Sequence, residues 1–103
     1  ASFDLVLTFF IHPPAQEQGP LLENMFRALK PGGQLIFEAY AKAQAENEFG
    51  GPDDPDRLFS SDILRQAIEG AEILLLEEKT IIRRSGRFPG KPAAVVRLIA
   101  RHP

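Results

Sequence analysis

Cysteine is absent from this chain of 103 residues, which excludes disulfides, thiolate metal sites and a cysteine nucleophile, and fits a reducing cytosol. Long apolar runs are absent too. None approaches the ~20 residues that a membrane-spanning helix needs, and no basic segment leading into an apolar stretch and a small-residue cleavage site opens the chain. No membrane partner is therefore expected, and the expected compartment is the cytoplasm. An excess of one charge is also missing: 12 Lys and Arg are dispersed among 14 Asp and Glu, for a net charge of −2. Such a surface builds no field to gather a polyanion, so nucleic acid is not an expected partner. Carboxylates bunch once, at Asp53-Asp54-Pro55-Asp56, without octahedral or EF-hand spacing, which reads as a solvated loop and not a metal site.

What is present is the composition of one ordinary globular unit, 44% hydrophobic and 25% charged, with room for a single core. Phe3 to Phe10 is a nearly unbroken apolar and β-branched run, the pattern of a strand covered on both faces in a parallel sheet. His12-Pro13-Pro14 ends it, since two prolines remove ladder donors. From Pro20 the positions Leu21, Leu22, Met25, Phe26 and Leu29 recur at helical spacing, and the helix is expected to stop at Lys30-Pro31-Gly32-Gly33, with both glycines free to take positive φ. Gln34 to Tyr40 reads as a second strand. Strand, helix and strand at this spacing form a βαβ unit, which makes the two strands parallel.

The segment from Ala41 to Leu58 shows no apolar face and contains Gly50-Gly51-Pro52, so it reads as a loop, a candidate lid over a substrate. Ser60 or Ser61 then caps a helix with Ile63, Leu64, Ala67 and Ile68 on its buried side, closed by Gly70. Glu72 to Arg83 is a third strand that becomes charged and runs to a sheet edge. Turn formers from Ser85 to Pro92 connect it to a fourth strand, Ala93 to Ala100, and so short a connection makes these two antiparallel neighbours.

Three segments carry a resemblance. Phe3-Asp4-Leu5-Val6-Leu7, then Leu29-Lys30-Pro31-Gly32-Gly33-Gln34-Leu35-Ile36, and Ala93 to Arg101 resemble, in that order, signature stretches of the second half of class I S-adenosylmethionine-dependent methyltransferases, and among these the small bacterial enzymes of the tellurite-resistance type. The resemblance implies an α/β fold: a partial Rossmann-like sheet equivalent to the family's fourth to seventh strands, the last two an antiparallel hairpin whose final strand inserts beside the fifth, with two main helices. It covers the whole chain, residues 1–103, as the C-terminal half of a methyltransferase domain. The family's opening strand, its Gly-rich turn and the acidic strand end that holds a ribose have no counterpart here. Gly32-Gly33 precedes a strand and opens no helix, so it does not replace that cradle. S-adenosylmethionine is thus the implied cofactor of the complete domain, bound weakly or not at all by this chain.

In open α/β sheets, ligands sit beyond the carboxyl ends of parallel strands, which points to Thr8 through His12 and to Glu38 through Tyr40. The resemblance implies Thr8, Phe9 and Phe10 beside the cofactor, Glu38 and Tyr40 beside a small-molecule acceptor, and His12 as the catalytic base or orienting donor. Bland readings stand next to these. His12 also suits a solvated loop at a strand end, Phe9 and Phe10 suit the core, Tyr40 suits a wedge under the loop, and Glu38 in a buried strand needs either a mouth or a partner. A non-catalytic binding or dimerisation module is the competing function, and half of another Rossmann-type enzyme such as a dehydrogenase is a third. The interior-type strand that begins at Phe3 is expected to be left as a bare edge, so that two copies pair through Phe3 to Phe10 as a homodimer, with apolar support from the helix Pro20 to Lys30.

Overall fold

The structure, a computed structural model, describes residues 3–47, 50–82 and 90–103. Four strands and two helices follow in the order β1 (Phe3–Phe9), α1 (Ala15–Arg27), β2 (Leu29–Tyr40), α2 (Ser61–Ala67), β3 (Glu72–Ile82) and β4 (Pro92–Arg101). They form one sheet in the order β1-β2-β4-β3. As the βαβ spacing predicts, β1 and β2 are parallel. β4 lies between β2 and β3 and is antiparallel to both, the inserted final strand expected from the resemblance. The architecture is a partial Rossmann-like α/β sheet. Arg83, and with it the turn from Ser85 to Pro89, lies outside the described residues.

Both helices pack on one face of the sheet. There Leu22 of α1, Leu64 of α2 and Ile68 at its C-terminal cap meet Leu35, Phe37 and Ala39 of β2 and Ala94, Val96, Leu98 and Ala100 of β4, all buried. Side chains of each strand point alternately to opposite faces, so the intervening residues face the other side, where no helix lies among the described residues. That arrangement corrects the reading of β1 as a strand covered on both faces. Phe3, Leu5, Leu7 and Phe9 are each about half exposed, because β1 is the outermost strand and α1 covers only its Val6 and Thr8 side.

Two boundaries also differ from the sequence expectation. α1 begins at Ala15, so Pro20 is an interior residue and not the start. Pro20 leaves the Gln16 carbonyl without a helical donor. Tertiary contacts hold the first turns regardless: Gln18 is fully buried, and its Nε2 donates to the carbonyls of Asp56 and Leu58 at 3.3 and 3.4 Å. β2 begins at Leu29, so Pro31-Gly32-Gly33 is a bulge within the strand and not a turn before it, and the register slips there between Phe3↔Leu29 and Leu5↔Gln34. Only Gly32 has positive φ, +84°. Gly33 is needed for space instead, since a Cβ there would lie 2.9 Å from the Phe3 carbonyl oxygen and 3.1 Å from that of Asp4.

The segment from Ala41 to Leu58 is more structured than its composition suggests. It holds 3-10 turns at Lys42–Glu46 and Pro55–Arg57. Gln44 is buried and accepts from the Ala94 N–H at 2.7 Å, and Leu58 is buried too. The segment is therefore anchored at both ends. Ser60 caps α2 by accepting from the Ile63 N–H, as predicted.

The bulge gives a test. Gly33→Ala drives a methyl into backbone carbonyls and should cost ~1–3 kcal/mol, whereas Gly32→Ala meets open space and costs ~1 kcal/mol of backbone strain. Urea unfolding of both variants checks this order. A Gly33→Ala chain as stable as the parent would mean that the β1–β2 register adjusts at no cost.

Candidate functional site

The carboxyl ends of the parallel pair β1 and β2 lie side by side, with Phe9 in register with Glu38. Just past β1, Phe10 has φ +55°, an uncommon conformation for a bulky aromatic residue, and its N–H donates to the Glu38 carbonyl at 2.7 Å. Strained residues of this kind persist where surrounding structure over-determines them, and they concentrate at functional sites. The twist aims the Phe10 ring at Tyr40, with centroids 5.0 Å apart. His12 stacks on Tyr40 at 5.5 Å and lies 5.7 Å from Phe59.

Both ring nitrogens of His12 are engaged. Nδ1 lies 2.9 Å from the Arg57 carbonyl oxygen, and Nε2 lies 3.3 Å from the Tyr40 backbone nitrogen. A carbonyl only accepts and an N–H only donates, so the ring is neutral with its proton on Nδ1. Burial holds the His12 pKa below its ordinary 6.5, partly opposed by the bond to the Arg57 carbonyl. Arg57 closes the clasp from the other side, its guanidinium donating to the His12 carbonyl at 3.0 Å. This geometry departs from the solvated-loop reading: His12 is half-buried, and its Nε2 lone pair faces the Tyr40 N–H. It ties the end of β1 to the end of β2 and to the residue 57 turn.

Glu38 is paired, one of the two outcomes that its burial allowed. Its carboxylate takes the Arg97 Nε–H, and the Arg97 guanidinium also reaches Glu77 at 3.9 Å. The three stand in register across β2, β4 and β3, a carboxylate-guanidinium-carboxylate row on the face without helices. With Phe9, Ile36, Leu75 and Ile99, Glu38 and Arg97 line a shallow hollow of about 240 Å³. Phe9 and Phe10 are 50% and 42% exposed, so neither is the core residue that the bland reading made them. Thr8 is buried on the helical side, its hydroxyl 2.8 Å from the Met25 sulfur. The structure thus gathers Phe9, Phe10, His12, Glu38 and Tyr40 at one end of the sheet and turns Thr8 away from them.

Sequence reasoning missed Arg57, Arg97 and Gln18. Arg97 carried a faint signal, as the one charge inside an otherwise apolar and β-branched strand. Arg57 and Gln18 carried none, because their partners lie 45 and about 40 residues away.

The clasp makes stability depend on pH. Because the folded chain holds the His12 pKa down, the unfolded chain binds the proton more readily; stability is complete above about pH 6.5 and is lost as pH falls through the depressed folded value. A protonated ring also cannot accept from Tyr40 N–H. His12→Gln should flatten this part of the profile while leaving the steeper loss at carboxylate pH intact. Equal slopes for the parent and His12→Gln in urea titrations between neutral pH and pH 5 would show that the ring is not proton-linked.

No family model matches the chain, and no curated protein matches it. Solved structures do. TehB from Haemophilus influenzae superposes with a TM-score of 0.75 at 14% identity over 99% of this chain and 36% of its own. The N-methyltransferase NodS from Bradyrhizobium japonicum WM9 gives 0.63 at 15% identity, over 99% of this chain and 52% of its own. A SAM-dependent methyltransferase from Methanosarcina mazei gives 0.64 at 18%, over 98% and 59%. The chain therefore spans about a third to three-fifths of the length of these solved chains. NodS has also been solved in complex with S-adenosyl-L-homocysteine, at a TM-score of 0.65 to this chain.

Proposed function

Because this chain is built as part of the class I methyltransferase fold, we propose that it supplies the acceptor side of S-adenosylmethionine-dependent methyl transfer to a small molecule. The observation that carries the reading is the convergence of Phe9, Phe10, His12, Glu38 and Tyr40 at the carboxyl ends of a parallel pair, where open α/β sheets take their ligands.

The residues present fit one wall of a cofactor site and not its cradle. Half-exposed Phe9 and Phe10 offer aromatic surface to a planar base. Among the described residues no glycine-rich turn opens a helix, however: α1 starts behind Pro14, and the first turn of α2 is capped by its own Ser60. The cofactor, when held, supplies an activated methyl group. What this chain contributes is orientation and desolvation, which carry most of the rate gain in such transfers. Tyr40 and Phe10 form a fixed aromatic corner, and the clasp of His12 and Arg57 keeps that corner from opening. Glu38, aligned by Arg97, presents a carboxylate beside it to a polar or cationic group of the acceptor. The 3-10 turns at Lys42–Glu46 and Pro55–Arg57 belong to the segment 41–58, which we read as a lid over the acceptor.

Isothermal titration calorimetry tests the reading in two steps. The chain alone should show no binding of S-adenosylmethionine at micromolar concentration; a chain extended upstream through its own reading frame should bind and methylate an acceptor. Micromolar binding by the chain alone would overturn the assignment of what it lacks. Failure of the extended chain to bind would overturn methyl transfer.

A further inference from the structure

Beyond its last residue, β1 is joined to β2 by a side chain where a regular ladder would use backbone. Phe10 N–H donates to the Glu38 carbonyl, and in a parallel ladder the next bond would run from the Tyr40 N–H to the Phe10 carbonyl. Phe10 takes φ +55° instead, and the His12 ring fills the place, its Nε2 lying 3.3 Å from the Tyr40 nitrogen. Through Nδ1, 2.9 Å from the Arg57 carbonyl oxygen, the same ring holds the Pro55–Arg57 turn. One neutral imidazole thus joins two backbone groups of opposite polarity. A fully protonated ring, with two donors and no acceptor, cannot make both bonds.

The surroundings decide which side gives way on protonation. Tyr40 is fixed: its carbonyl accepts from the Phe59 N–H at 3.0 Å, and the next residue, Ala41, donates to the Ala94 carbonyl at 2.9 Å. The turn is held more loosely. Its other ties from outside are the Arg57 guanidinium on the His12 carbonyl at 3.0 Å, Gln18 Nε2 on the Asp56 carbonyl at 3.3 Å and the exposed Lys42 Nζ on the Pro55 carbonyl at 3.3 Å. Few charged or titratable groups face the ring. Tyr40 stacks on it from β2, Phe59 beside it is neutral, and α1 brings only the uncharged Gln18 to this turn. The turn itself carries Arg57, Asp56 and, at its cap, Asp54, whose carboxylate accepts from the Asp56 N–H. Among the described residues no carboxylate bonds to the ring, so a second proton gains no counter-charge there and stands in the same clasp as the Arg57 cation.

We propose that His12 is a proton-operated latch: on taking a second proton the ring leaves the Tyr40 N–H and frees the Pro55–Arg57 turn from the strand end, while the sheet stays folded. The proton comes from solvent and adds to the Nε2 lone pair. The latch is closed above about pH 6.5 and opens as pH falls through the ring's own value, which burial holds below 6.5. Because His12 stacks on Tyr40, opening also uncovers the aromatic corner that Tyr40 forms with Phe10. The inference does not depend on methyl transfer.

Amide hydrogen exchange of the chain, read residue by residue by NMR and corrected for the intrinsic pH dependence of exchange, tests the latch. Protection at Tyr40, Arg57 and Leu58 should fall several-fold from neutral pH to pH 5, while Phe37 and Leu98, paired in the middle of the sheet, keep theirs. In His12→Gln this pH response should disappear, which separates the ring from Asp54 and Asp56. Nitrogen–proton correlation of the His12 ring needs no variant: Nδ1 should carry the proton at neutral pH, and the ring should titrate together with the loss of protection. A proton on Nε2 at neutral pH overturns the proposal. So do unchanged protection at Arg57 and Leu58 on acidification, a loss that spreads equally to Phe37 and Leu98, or a loss that His12→Gln retains.

Discussion

Leu35, Phe37 and Ala39 of β2 are buried under the helices, while Ile36, Glu38 and Tyr40 between them point to the face that no described helix covers. This alternation constrains the rest of the molecule. β2 is the one strand with a parallel neighbour on one side and an antiparallel neighbour on the other, so it carries both the βαβ unit and the terminal hairpin. Slipping it by one residue would exchange its buried and exposed sets, putting Glu38 under α2 and Phe37 in water. The bulge at Gly32 and Gly33 is where that register is set. Gly32 N–H donates to the His102 carbonyl and His102 N–H donates to the Gly33 carbonyl, at 2.7 and 2.8 Å, so the end of the chain locks the start of β2.

The elements that sequence pattern exposes well are those governed by local periodicity and chain connectivity. The βαβ spacing gave a parallel pair, and the short connection after β3 gave an antiparallel one; both hold in the sheet. The resemblance placed the last strand between its neighbours. What escaped depends on distant partners. Nothing near Pro20 reveals that Gln18 donates to carbonyls some forty residues on and so keeps a helical turn ahead of the proline. The Pro-Gly-Gly stretch read as a helix stop because those residues end helices, yet the helix had already ended at Arg27 and a strand had begun. Hydrophobic content likewise could not tell burial on two faces from burial on one, since that is settled by where α1 and α2 pack.

At the candidate site, strand-end placement singled out one end of the sheet and left the roles open. Strand-end placement drew attention to His12, Glu38 and Tyr40, and the structure brings all three together with Phe9 and Phe10. The side chains that decide what these residues do, Arg57 and Arg97, belong to other segments. Glu38 is the clearest case. Alone in a strand it was a costly buried carboxylate; between Arg97 and the edge of the hollow it is a satisfied one that still borders open space.

These facts suggest how such a site keeps its shape. Most of its restraints run through the backbone: Phe10 N–H to the Glu38 carbonyl, Tyr40 N–H to the His12 ring, the His12 ring to the Arg57 carbonyl, and Phe59 N–H to the Tyr40 carbonyl. Backbone groups have few alternative conformations once the strands are paired, so the aromatic corner is positioned by the fold itself, and little side-chain entropy is left to lose there. The exposed side chains Phe9 and Phe10 are then free to serve as contact surface. Chemistry that gains chiefly from alignment needs this division, in which polar main-chain groups fix geometry and apolar faces exclude water. The strain at Phe10 is consistent with it: a left-handed aromatic residue costs of order 1–3 kcal/mol, and a chain under no demand at that point would relieve it by the one-residue change to glycine.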